Sequence, residues 1–194
     1  MRKSDVIEFF DRLAPQWDAD MIRHDDVIQT ILDNAGVKSG IRVLDVACGT
    51  GVLFPDYLSR GVASITGVDI SSQMVRIARE KFHQENVQVL CADVESVKFN
   101  EKFDCIMVYN AFPHFPEPEQ LIRSLCGHLE CGGSLTIAHG MSRDQIDSHH
   151  EGTASKVSCG LMHENALAGM MRKYLDVTVK ISDERMYQVT GVKR

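Results

Sequence analysis

Two periods of apolar positions alternate along this chain of 194 residues. Ile41 to Val46 is a short, nearly continuous apolar run that ends in glycines, the pattern of a strand buried on both faces of a parallel sheet. Comparable runs end at Thr66-Gly67-Val68-Asp69, at Cys91-Ala92-Asp93 and at Tyr109, and Ser134 to Ala138 supplies a fifth. Between them the spacing changes to three and four. Ser71 to Phe82 carries Met74, Ile77, Ala78 and Lys81, and a segment opened by Pro118 carries Leu121, Ile122, Leu125 and Leu129 before Gly132-Gly133 stops it. Residues 4–35 are predicted to be helical with a break near Pro15, and Phe9, Phe10, Leu13 and Trp17 form their apolar stripe. A further helix is predicted at Met162–Lys173, then strands at Val177–Ile181 and Met186–Val192. Strand and helix patterns in alternation predict an α/β fold with a doubly wound, mostly parallel sheet. One domain spans 1–194, with 1–36 as an N-terminal helical cover and 37–194 as the core.

The turn after the first strand, Ala47-Cys48-Gly49-Thr50-Gly51, lies where such sheets bind ligands. Gly49 and Gly51 lack a Cβ and let the backbone bend sharply beside a ligand. A dinucleotide fingerprint would place a third glycine where this chain has Phe54, and Asp45 before the turn suits a cation better than a pyrophosphate. Both features argue against an NAD-dependent oxidoreductase.

These residues resemble the class I S-adenosylmethionine (SAM) dependent methyltransferases, small-molecule type, whose first motif is an acid followed by Gly-x-Gly. The resemblance implies the seven-stranded, Rossmann-like methyltransferase fold, with the last two strands as an antiparallel hairpin edge, and SAM as cofactor. It implies that Asp45 and the backbone from Ala47 through Gly49, Thr50 and Gly51 hold the methionine end of SAM. Asp69 would accept from both ribose hydroxyls, Ile70 and Met74 would pack near the adenine, and Asp93 with the Val94 backbone would meet the adenine amino group. Tyr109-Asn110-Ala111-Phe112 matches the motif that lines the methyl-transfer site, with Asn110 on the cofactor side, Tyr109 a candidate catalytic residue and Phe112 toward the acceptor. The stretch from Phe9 to Asp18, with Trp17, resembles the lead-in that covers the cofactor and shapes the acceptor pocket. Asn110-Ala111-Phe112-Pro113 differs from the Asn/Asp-Pro-Pro-Tyr motif of enzymes that methylate planar amino groups, which argues against such acceptors.

Charge and composition narrow the partners. A net charge of −6 without a dense stripe of Lys and Arg disfavours a nucleic-acid substrate. No run reaches the roughly 20 apolar residues of a membrane span, and the start shows no signal-peptide core, so a cytoplasmic enzyme is expected. A small-molecule acceptor and a monomer or homodimer are the expectation. Methyltransferases of RNA or protein, and a non-catalytic SAM- or metal-binding sensor, are the alternatives. The six cysteines show no Cys-x-x-Cys pair and read as free buried thiols. Val192-Lys193-Arg194 reads as a solvated tail.

His114 and His139 end predicted strand–loop units at the ligand edge, and either imidazole could take a proton from an acceptor. Each could equally be a hydrogen-bonded loop histidine. His139 to Glu151 gathers three histidines, an arginine and several acids. If it is helical from Ser142, Arg143 and Asp147 share a face, with His150 nearby. Three readings stay open: a polar pocket wall for an anionic or hydroxylated acceptor contacted by Arg143 and His150, a metal site of His139, His149 or His150 with a carboxylate, and a solvated helix. The spacing fits no strong metal motif, so no metal is assigned.

Overall fold

The computed structural model describes residues 1–150 and 156–194, the side chains of His149 and His150 excepted. Helices α1 (Lys3–Asp20) and α2 (Asp25–Asn34) precede strand β1 (Arg42–Val46), and α3 (Phe54–Ser59), β2 (Ser64–Asp69), α4 (Ser72–Lys81), β3 (Val87–Cys91) and β4 (Phe103–Tyr109) follow. A single 3-10 turn, Phe112–His114, leads to α5 (Pro118–His128), β5 (Leu129–His139), α6 (Arg143–His150), α7 (Glu164–Met171), β6 (Leu175–Ser182) and β7 (Tyr187–Lys193).

The strands form one seven-stranded sheet in the order β3-β2-β1-β4-β5-β7-β6. Neighbours from β3 to β5 pair in parallel, and β7 runs antiparallel to both β5 and β6. The doubly wound, Rossmann-like architecture with an antiparallel last strand is therefore the fold of this chain. β7 inserts between β5 and β6, so β6 and not the last strand forms the edge.

Alternate residues of the central strands serve two cores, as the period of two requires. Leu44, Val46, Ile106, Val108, Leu135 and Ile137 pack with Leu121, Ile122 and Leu125 of α5 and Leu167 and Met171 of α7. Val43, Ile65, Cys105 and Met107 face Ile28 and Ile31 of α2, Phe54 of α3 and Ala78 of α4. With both faces covered, the strand ends are left as the place where loops can form a cleft.

Several local expectations need correcting. Pro15 lies inside α1, which runs unbroken to Asp20, and the helical run parts only at Met21–His24. Pro15 is exposed, and the cost of its missing N–H is offset by the packing of α1 on α4. α5 ends at His128, so Leu129 is buried as the first residue of β5. Gly132-Gly133 instead falls where the β4–β5 register shifts; a Cβ on Gly133 would lie 3.0–3.1 Å from three carbonyl oxygens. In α4, Val75 is buried and Lys81 exposed, so the apolar stripe is Met74, Val75 and Ala78. All six cysteines are free, but Cys91, Cys131 and Cys159 are exposed, on the edge strand, on the glycine irregularity of β5 and on the segment after α6. The C-terminus is tied down: Lys193 donates to the carbonyls of Cys126 and Leu129, and Arg194 pairs with Asp176.

Candidate active site

The loops after β1, β2, β3 and β4 open on one cavity at the C-terminal edge of the sheet. Each loop is shaped by a backbone constraint. After β1, Ala47, Gly49 and Gly51 all take left-handed conformations, at φ of 53°, 56° and 83°. For Ala47 this costs strain, the kind that persists where surrounding structure fixes a functional turn. Gly51 must be glycine for packing as well, because a Cβ there would come within 2.6 Å of the Phe82 ring. Phe54, at the position of a third glycine, fills the space between α3 and the sheet and packs on Phe82 at 5.0 Å between ring centroids. Gly67 of β2 makes room for it, since a Cβ there would meet Phe54 at 2.6 Å and Cys48 Sγ at 2.8 Å.

Asp69 ties two of these loops together. Its Oδ2 accepts from the Gly49 amide at 2.8 Å and its Oδ1 from the Ser71 amide at 2.8 Å. Burial raises its pKa, while those amide bonds hold it down. Each carboxylate oxygen keeps further lone-pair capacity. Ser71 then caps α4 by accepting from the Met74 amide.

Asp45 is the most perturbed acid of the cavity wall. Only 2% exposed, it is pushed up to about 8 by burial and by the nearby Asp69 charge, with the Tyr57 hydroxyl offsetting part of the shift. Neither Asp45 Oδ2 nor the Tyr57 hydroxyl completes a hydrogen bond of normal geometry. A buried carboxylate oxygen without a partner costs free energy unless the group is protonated or meets a cation.

After β3, Asp93 closes its own turn by accepting from the Glu95 amide. Its other oxygen and Glu95 both pair with Lys3 of α1, at 2.5 and 2.7 Å. After β4, Asn110 sits at φ 53°, and its Oδ1 accepts from the Gly140 amide at 3.0 Å. Gly140 is needed there, because a Cβ would collide with the Tyr109 hydroxyl. Burial pushes the Tyr109 phenol up to about 12.

α1 lies over this edge and touches the loops one by one. Besides Lys3, Asp11 accepts from Ser71 Oγ at 2.6 Å and from the Gln73 amide at 3.0 Å, and Asp18 accepts from Thr50 Oγ1 at 2.5 Å. Trp17 overlies the glycine turn, with Nε1 3.8 Å from where a Gly49 Cβ would stand. The Phe10 ring meets Trp17 and His114 edge-on, at 5.7 and 5.0 Å. His114 Nδ1 lies 2.6 Å from the Val157 carbonyl. A carbonyl only accepts, so Nδ1 carries the proton, and the basic lone pair of the neutral ring is on Nε2.

The cavity brings together Trp17, Asp45, Ala47, Gly49, Asp69, Ile70, Met74, Asp93, Val94, Tyr109, Asn110 and His114 of the residues singled out from the sequence. Others stand elsewhere. Thr50 and Gly51 support the turn from beneath and do not line the cavity. Phe112 is buried in the core beside α5. His139 is 2% exposed and does not line the cavity, because β5 pairs with β7 to its end and sets the His139 ring against Tyr187, at 6.1 Å. α6 begins at Arg143 behind a reciprocal Ser142–Gln145 cap, and Asp147 accepts from the Leu161 amide. Arg143 does not line the cavity; its charge acts on Tyr187 instead. The roles considered for the side chains of His149 and His150 and for Glu151 lie outside the described residues. Among the described residues no cluster of His, Cys, Asp and Glu is placed to hold a metal, and no helix is long and apolar enough to cross a membrane. Sequence reasoning missed Lys3, Met21, Tyr57, Glu95 and Val157. For Lys3 a signal existed: Lys3, Phe10 and Trp17 are seven apart and so share one helix face.

Comparisons with known proteins agree with this fold. Residues 43–133 match the family described as a methyltransferase domain. The malonyl-(acyl-carrier protein) O-methyltransferase of Acetivibrio thermocellus is 33% identical over 132 residues, which cover 66% of this chain and 47% of that protein. The ubiquinone biosynthesis O-methyltransferase of Coxiella burnetii is 33% identical over 99 residues, 50% of this chain and 42% of the relative. The chain thus spans less than half the length of these curated relatives. Among solved structures, a putative methyltransferase of Haloferax volcanii in complex with the Trm112 methyltransferase activator superposes with a TM-score of 0.81, covering 97% of both chains at 19% identity. The N-methyltransferase NodS of Bradyrhizobium japonicum, in complex with S-adenosyl-L-homocysteine, gives 0.72 at 13% identity over 96% of this chain and 97% of that one. At those identities the likeness is one of fold.

Proposed function

Since the chain belongs to the class I SAM-dependent methyltransferases, we propose that it transfers a methyl group from SAM to a small-molecule acceptor. The observation that carries this reading is the buried Asp45 carboxylate, which lines the cavity beneath a glycine turn and has an oxygen without a hydrogen bond. An ammonium group is the partner such an oxygen lacks, and SAM carries one.

The remaining residues fit the rest of that molecule. Asp69 already organises the β1 and β2 loops through two amides, and its remaining lone pairs suit a vicinal diol. Ile70, Met74 and Val94 offer apolar surface between Asp69 and Asp93, a seat for a flat base whose exocyclic amine meets Asp93. The left-handed Asn110 keeps the β4 loop open beside Asp45.

When bound, SAM supplies a sulfonium-activated methyl group that moves by in-line displacement. Alignment and exclusion of water then matter more than strong acid catalysis. α1 excludes water with Phe10 and Trp17, and its polar side chains hold the loops in register. His114 takes the role of base: Val157 fixes its tautomer, so Nε2 is the atom that receives the acceptor's proton. Tyr109 shapes the acceptor side. His139, buried against Tyr187, has a packing role.

A thermal-shift titration with SAM, S-adenosylhomocysteine and NAD tests the reading. Ligand at about 100 times its dissociation constant adds roughly 2.7 kcal/mol to the folded state. SAM and S-adenosylhomocysteine are expected to raise Tm and NAD to leave it unchanged; a rise with NAD alone, or with none of the three, overturns the proposal.

A further inference from the structure

Behind the cavity wall, Asp45 stands against a residue that the function proposed above does not use. Tyr57 of α3 is fully buried, and its ring packs on Phe54, 6.5 Å away between centroids. Asp45 lines the cavity and Tyr57 does not, so the phenol meets the carboxyl group from the side away from a ligand. Its hydroxyl is sealed from solvent without a completed hydrogen bond, as is Asp45 Oδ2. A phenylalanine would fill the same space without burying an unsatisfied polar group, so packing alone does not account for the hydroxyl.

The titratable groups that face Asp45 come from the neighbouring strands, the glycine turn and α3. The Asp69 charge on β2 opposes ionisation of Asp45. Cys48 of the turn and Cys105 of β4 also act on it, but burial pushes both thiols up, Cys105 to about 12, so neither is charged between pH 6 and 9. Their sulfurs lie 3.8 and 4.0 Å from the carbonyls of Gly49 and Ala35, which take the thiol protons. Tyr57 is left as the side chain, among the described residues, that can donate to this carboxylate. Burial keeps its phenol protonated, and a carboxylate only accepts.

We propose that Tyr57 is a positioning residue for the ammonium group of SAM: its hydroxyl donates to Asp45 from behind and holds the carboxylate charged and ready for that cation. The proposal rests on the methyltransferase reading and extends it to how a buried acid is kept usable at neutral pH. A carboxylate offers about four lone-pair sites on two oxygens, so it accepts from the phenol and the ammonium together. Without the phenol, burial and Asp69 act unopposed, and ionising Asp45 becomes harder. Tyr57 lines no part of the cavity, so it acts only through Asp45.

Calorimetry with S-adenosylhomocysteine on the unmodified chain and on Tyr57→Phe, from pH 6.5 to 9, tests this through the ratio of the two affinities. The other titratable groups of the wall, the Met1 and Lys3 ammonium groups and the His114 imidazole included, are common to both proteins and cancel, as does the ligand's own titration. An upward shift of about one pH unit in the Asp45 midpoint makes the affinity of Tyr57→Phe about tenfold lower at pH 6.5, narrowing to about twofold at pH 9. In the protein without ligand, the carbon-13 carboxyl resonance of Asp45, assigned by its loss in Asp45→Asn, is expected to titrate about one unit higher in Tyr57→Phe. A ratio constant with pH, equal affinities throughout, an unmoved Asp45 midpoint, or loss of the folded state in Tyr57→Phe by circular dichroism overturns the assignment. Failure of S-adenosylhomocysteine to bind the unmodified protein overturns the methyltransferase reading instead, so the two failures are separable.

Discussion

The proposed cofactor half and the proposed acceptor half of this cavity are built by different means. In the cofactor half the backbone decides: left-handed Gly49 and Gly51, two amides on Asp69, and acids at the ends of adjacent strands. In the acceptor half side chains from segments far apart in sequence converge: Phe10 and Trp17 from α1, His114 after β4, and Val157 after α6. A backbone-built site is specified by a few contiguous residues and tolerates little change. A converging site can be respecified by exchanging one wall. The same sheet can therefore keep one cofactor while its acceptors vary.

Four measurements separate the halves. The largest effect is expected from His114→Ala, which should lower kcat by about 10²–10⁴ and leave S-adenosylhomocysteine affinity within about twofold. A parallel loss of cofactor affinity in calorimetry would place His114 in the cofactor half. Next is Asp69→Ala. It removes the acceptor of two amides as well as the proposed diol partner, and it should weaken S-adenosylhomocysteine by about 30- to 100-fold, or 2–3 kcal/mol. Unchanged affinity would break the claim that the backbone half depends on this carboxylate.

The third is a pH profile. Asp45 titrates near about 8, so it is protonated at neutral pH until a cation joins it. Binding then releases a proton, and affinity rises with pH by at most about tenfold between 6 and 7, levelling off above about 8. In the ligand-free protein the sign is opposite. The folded state holds the proton more tightly than the unfolded chain, so the contribution to stability is fully present at low pH and is lost as pH rises from about 4 toward 8. Asp45→Asn should flatten both profiles, and an unchanged slope in either would remove Asp45 from the linkage. The smallest effect belongs to Lys3→Ala. Its pairs are half-exposed, with the Lys3 side chain 49% accessible, and cofactor affinity should change by no more than about fivefold.

The same division explains what could be read from the sequence. The sheet, the glycine turn and the acids at Asp45, Asp69 and Asp93 were legible because period-two runs and turn residues are local signals. Pro15 misled because tertiary packing of α1 overrides a local helix penalty. Leu129 misled because a buried leucine looks alike at the end of a helix and at the start of a strand. His139 was placed at the right strand end, but which way it faces depends on its pairing opposite Tyr187, 48 residues later, and no local pattern reports that. The role proposed for His114 Nε2 depends on the carbonyl of Val157, 43 residues further along the chain.

The three contacts of α1 also order events in time. Thr50, Ser71 and Asp93 belong to three successive loops, and one helix holds all of them through Asp18, Asp11 and Lys3. Under the proposed function, release of these contacts would widen the path for a nucleoside-sized molecule, whereas the wall formed by Phe10 and Trp17 is complete with them made. Cofactor first and acceptor second is the order of binding that this arrangement would favour under the proposed function. The polar contacts are partly solvated, but α1 also packs on α4 and buries Val6 and Ala14, so it can leave only by giving up both kinds of contact.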